Sequence, residues 1–134
     1  MTEHAEAAAL MRAIRAAEAW CPDLRWFAAI PNGGHRSKRT AAALRAEGVR
    51  RGVPDYLCPV ARGRYVGLAI ELKTAKGRTS PEQRQWIAHL ASQGWRAVVS
   101  RGWEDAWGEV VAYMALEAPV RLSDGHSPPE SSTR

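Results

Sequence analysis

The chain has only two cysteines, Cys21 and Cys58, and neither has a CxxC partner. That excludes a structural zinc site, which needs more ligands in closer pairs. A disulfide is not expected in a reducing compartment, so both read as small buried or half-buried hydrophobes. No apolar run approaches the roughly 18 residues of a membrane span. The N-terminus carries acids and alanines instead of a basic segment followed by an apolar one, so no signal peptide is expected and the protein is placed in the cytoplasm. Internal repeats are absent too, which excludes solenoid architectures.

What is present is an ordinary globular composition, 46% hydrophobic and 25% charged over 134 residues, enough for one domain with a core. The net charge of +5 favours polyanionic partners. Its distribution is sharper than its sum. Residues 35–51 hold Arg36, Lys38, Arg39, Arg45, Arg50 and Arg51 against Glu47 alone, the pattern expected of phosphate-backbone contact. A solvated helix face is the plainer alternative.

Apolar periodicity predicts a first helix from Glu3 to Trp20, with Thr2 as N-cap and Leu10, Ile14 and Ala17 facing inward. Arg25 to Ile30 reads as a short strand, stopped by Pro31-Asn-Gly-Gly34. Ser37 to Glu47 reads as a helix closed by Gly48. A hairpin follows, with strands near Asp55 to Val60 and Tyr65 to Lys73 turning at Arg62-Gly-Arg64. Ser80-Pro-Glu-Gln83 carries the start signals of a helix running to about Gln93. Arg96 to Ser100 reads as a strand, and Glu104 to Leu116 as a last helix with Trp107, Val110, Val111 and Met114 inward. Beyond residue 118 the composition turns to Ser, Pro and charge, so residues 1–118 read as the domain and 119–134 as a disordered tail. The order predicts an α/β fold, a small mixed β-sheet flanked by helices.

Strand alternation sends Leu68, Ile70 and Leu72 to one face and Glu71 and Lys73 to the other, roughly 6–7 Å apart. Hairpin pairing can bring Asp55 beside them. Two carboxylates and a lysine suit Mg²⁺ or Mn²⁺ and hydrolysis of a phosphodiester. A surface ion pair on a half-exposed strand is the bland alternative. The six tryptophans read mostly as core packing, Trp20, Trp86 and Trp107 lying on helical apolar faces.

The surrounding motifs favour the first reading. Pro54-Asp55, fifteen residues, then Glu71-Leu72-Lys73 resembles the PD-(D/E)xK nuclease pattern, and more specifically the VRR-NUC family. The likeness extends through Ile30-Pro-Asn-Gly-Gly-His-Arg36, Gly48-Val-Arg-Arg-Gly-Val-Pro-Asp55, Gly67-Leu-Ala-Ile-Glu-Leu-Lys73, Ser80-Pro-Glu-Gln83 with Trp86, and Gly94-Trp95. It implies a restriction-endonuclease-like core and a metal-dependent DNA endonuclease. Asp55, Glu71 and the Leu72 backbone carbonyl would be metal ligands, Lys73 the catalytic lysine, and Gln83 a further residue of the site. Such nucleases add an acid from the first helix; Glu6 is favoured here over Glu3 because it lies one turn before Leu10. DNA contact is expected from Asn32, Arg36, Lys38, Arg39, Arg50, Arg51 and Lys76. Small members of the family resemble phage proteins, pair as homodimers and act on branched DNA such as four-way junctions. The implied setting is therefore a bacterial or phage-infected cell. A non-cleaving DNA-binding module of the same fold is the alternative.

Overall fold

The computed structural model describes residues 1–31 and 38–119, with the backbone alone at residues 38 and 39. The expectations for Asn32, Arg36 and the tail at residues 120–134 lie outside them, as do those for the Lys38 and Arg39 side chains.

Helix α1 spans Glu3–Ala17, and the Thr2 hydroxyl caps it by accepting the Ala5 N–H at 3.0 Å. A 3-10 turn at Pro22–Trp26 and the two-residue strand β1, Ala28–Ala29, replace the longer strand expected there. Pro22 seeds the turn, so the aromatic run is largely spent in it. Helix α2 is Lys38–Ala46, and Gly48, at φ 100°, follows its end as the sequence requires. Strands β2 (Tyr56–Cys58) and β3 (Gly67–Lys73) form the expected hairpin, and Pro59 falls just past β2. Helix α3 (Pro81–Ser92) carries the full capping box of Ser80 and Gln83. Strand β4 (Trp95–Arg101) and helix α4 (Trp103–Met114) complete the chain.

The sheet order is β1-β2-β3-β4, antiparallel except for the β3/β4 pair, which α3 connects. This is an α/β fold with a mixed sheet between helices. On one face Leu68, Ile70 and Leu72 pack with Leu10 and Ile14 of α1 and Val110 and Tyr113 of α4. On the other lies α3, which reaches Glu71 through Gln83. Strand β3 is central and covered on both sides, so even its polar-face residue Glu71 is buried. Both cysteines are free, Cys58 buried and Cys21 half-buried, as expected. No helix among the described residues is long and apolar enough to cross a membrane.

Two packing expectations are corrected. The inward stripe of α4 is Ala106, Val110 and Tyr113, whereas Val111 is exposed. The stripe is rotated because Tyr113 reaches inward to donate its hydroxyl to the Val60 carbonyl. Trp20, read as a packed residue, is 72% exposed, since α1 ends before it. Trp20, Leu24, Trp107, Val111 and Met114 instead line an apolar groove of about 310 Å³.

The loop leading to Asp55 is seated on the start of α3. Gly52 has φ +84°, and a Cβ there would meet the Glu82 carbonyl carbon at 2.5 Å and the Gln83 nitrogen at 2.7 Å. Trp86 adds a bond from Nε1 to the Arg51 carbonyl, 3.1 Å. Gly52→Ala is expected to cost about 2–4 kcal/mol, left-handed strain adding to a backbone clash. Urea unfolding measures it; a change within error would mean the loop is not held there.

Candidate active site

The carboxylates of Asp55 and Glu71 meet at the end of the hairpin because the register continues by one pair past Tyr56↔Ile70. Asp55 sits just before β2 starts, so no strand partner bonds Leu72 on that side. The Leu72 N–H donates instead to Asp55 Oδ2 at 2.8 Å. The N–H and C=O of one strand residue point to the same neighbour, so the Leu72 carbonyl also opens toward Asp55. Burial pushes the Asp55 carboxyl up, the Leu72 N–H opposes that, and the charge of Glu3 adds to it.

Glu71 is 1% exposed. Burial first, and the Asp55 charge second, raise its carboxyl to about 7, against the pull of Lys73. Glu71 Oε1 accepts from Gln83 Nε2 at 2.9 Å and lies 3.6 Å from Lys73 Nζ. Glu71 Oε2 is buried without a well-formed hydrogen bond, and the Asp55 carboxyl and backbone N–H bear on the same carboxylate. Gln83 serves two ends of one hydrogen-bond chain. Its Oε1 accepts the Ser80 N–H at 2.8 Å, which aims its amide donor at Glu71. The same side chain thus both caps α3 and contacts Glu71.

The two first-helix acids are placed differently from the expectation. Glu6 Oε2 accepts the Trp103 N–H at 2.6 Å, a contact across 97 positions. The cap residue of α4 is Gly102, which has no side chain to offer, so Glu6 supplies the anion that a helix N-terminus favours. Glu3, one turn earlier, lines a small pocket with His4, Ile30, Asp55 and Leu72. Of the pair, Glu3 is therefore the acid next to Asp55. The bare Gly102 followed by an apolar helix was the sequence signal that α4 needed a remote cap.

A buried carboxylate oxygen without a well-formed hydrogen bond, beside a second carboxylate, is the environment a cation relieves. Among the described residues no three His, Cys, Asp or Glu side chains converge to enclose a metal. Two carboxylates with a backbone carbonyl fit instead an ion that keeps several waters, as Mg²⁺ does. Beside the site, Arg45, Arg50 and Arg51 with Glu82 line an open cleft of about 460 Å³, and Lys76 is exposed on the loop after β3.

The VRR-NUC domain model matches residues 11–104, a span that holds Asp55, Glu71, Lys73 and Gln83 but neither Glu3 nor Glu6. A solved structure described as a VRR_NUC domain protein is 30% identical, with a TM-score of 0.62 over 71% of this chain and 72% of the other. Among curated proteins none matches. On the family match over most of its length, the chain belongs to the VRR-NUC domain family, a nuclease-type family.

Proposed function

We propose that this protein is a metal-dependent DNA endonuclease whose centre is Asp55, Glu71 and Lys73. The observation that carries the reading is the buried Glu71 Oε2, without a well-formed hydrogen bond, beside Asp55. Asp55, Glu71 and the Leu72 carbonyl would hold Mg²⁺ or Mn²⁺, with Glu3 beside them. Such an ion supplies charge neutralisation at the phosphate and acidifies water. Gln83 holds Glu71 Oε1, leaving Oε2 for the cation. The Leu72 N–H holds Asp55 in the same way. Lys73 orients the attacking water and offsets the negative charge that develops at phosphorus.

Arg50 and Arg51 contact the DNA backbone, joined by Lys76 and, from α2 and the segment before it, Asn32, Arg36, Lys38 and Arg39. The substrate class is branched DNA such as a four-way junction, bound by a homodimer. The apolar groove lined by Trp20, Trp107, Val111 and Met114, with Trp20 and Val111 exposed at its rim, favours pairing through this face.

The deciding experiment incubates labelled linear duplex and four-way junction with protein in Mg²⁺, Mn²⁺ or EDTA. Cleavage with either metal and none in EDTA is the expected result. Binding without cleavage in either metal would leave a DNA-binding module instead. In EDTA, Arg50→Ala and Arg51→Ala are each expected to lower the salt slope of binding by about 1. An unchanged slope would remove that arginine from the interface.

A further inference from the structure

A lysine stem has four rotatable bonds and loses up to about 2 kcal/mol of freedom when held. Lys73 is nevertheless held, with its side chain 13% exposed and Nζ aimed at Glu71. The glycine at position 77 lies against it. A Cβ there would sit 3.4 Å from Lys73 Cδ and 3.2 Å from the Thr74 hydroxyl. The turn at residues 74–77 thus lies along the lysine, yet its own ladder provides one bond, Gly77 N–H to the Thr74 carbonyl at 3.1 Å.

The rest of its support comes from β4. Arg101 Nη1 donates to the Gly77 carbonyl at 2.6 Å and to the Thr74 carbonyl at 3.2 Å, with the Ala75 carbonyl at 3.5 Å. Arg101 is the register partner of Lys73 in the parallel pair. Its backbone N–H donates to Asp105 Oδ2 at 2.9 Å, and the next N–H, of Gly102, donates to the Lys73 carbonyl at 2.8 Å. One guanidinium therefore bridges the strand end to the turn that packs on the lysine. An exposed arginine beside a nuclease site is ordinarily a phosphate contact, but here Nη1 is spent on carbonyls of its own chain.

We propose that Arg101 is a positioning residue for Lys73, acting through the turn at residues 74–77. The role rests on the nuclease reading above only for its effect on rate. In Arg101→Ala, kcat for junction cleavage at saturating Mg²⁺ falls by about tenfold to a hundredfold, as ångström-scale misplacement does. KM and the salt slope of binding stay near wild type. Arg101→Lys is intermediate, since one ammonium cannot serve a fork of carbonyls. A raised KM and a salt slope lower by about 1, with kcat unchanged, would make Arg101 a phosphate contact and overturn the proposal. So would wild-type kcat and KM together.

Amide exchange supplies a readout independent of cleavage. Gly77 N–H exchanges about tenfold faster in Arg101→Ala, the loss of local protection expected when a turn is released. Unchanged exchange overturns the clamp. If the wild type cuts nothing in metal, the nuclease reading fails while the exchange result still decides the clamp.

Discussion

Glu71→Gln is expected to lower the rate of DNA cleavage by about 10²–10³-fold, the scale of losing one preorganised charge in a catalytic centre. The same change should leave the metal-free protein at least as stable at pH 8. The two effects have one cause. Glu71 is buried against Asp55 with one oxygen lacking a well-formed hydrogen bond, so its negative charge costs the apo fold and serves only when a cation is present. Glutamine fills the same volume without the charge. Lys73→Ala should match the loss of rate for the opposite reason, by removing the cation 3.6 Å from Glu71. Glu3→Gln should weaken activation by Mg²⁺. Glu6→Gln should chiefly lower the melting temperature, through the weakened α4 cap. Metal titrations of cleavage with parallel melts separate these roles. A Glu71→Gln protein that cuts at the wild-type rate would remove Glu71 from the centre.

The pH dependence of stability is the second large effect. Glu71 is raised from an ordinary 4.5 to about 7 by burial and by Asp55, so the folded state keeps its proton where the unfolded chain has lost it. Stability from this group is complete below pH 4.5 and is lost as pH rises to about 7, then stays flat. In EDTA the loss across the window is on the order of 3 kcal/mol, which lowers Tm by roughly 10 °C for a domain of this size. In Glu71→Gln that part of the slope disappears. Added Mg²⁺ should raise Tm more at pH 8 than at pH 5.5, because it competes with protons for the same carboxylates. Thermal melts of both proteins with and without metal check this. A wild-type slope no steeper than that of Glu71→Gln would show that the carboxyl is not held high.

Much of this molecule was legible because its signals are local. The Ser80/Gln83 box, Gly48 after α2 and the Leu10/Ile14/Ala17 stripe each depend on neighbours within a turn or so, and each is observed. Alternation along β3 places Glu71 and Lys73 on one face whatever the rest of the chain does, and a short hairpin suffices to add Asp55. So the sequence alone determined the element order, the α/β class and the trio on which the proposed chemistry rests. Its errors came where a local pattern had two solutions. The apolar arc of α4 has Tyr113 at one edge and Val111 at the other, so periodicity could not say which edge would turn inward. Glu3 and Glu6 lie one turn apart on α1, and only the fold, which brings Trp103 to Glu6 across 97 positions and Asp55 near Glu3, assigned each its partner. The same holds for the burial of Glu71 under α3 and for Arg101 reaching the turn beyond Lys73. Spacing along a strand settles which residues can share a face. How deeply a charge is buried, and what it meets, is decided by elements distant in the chain and is a property of the tertiary structure alone.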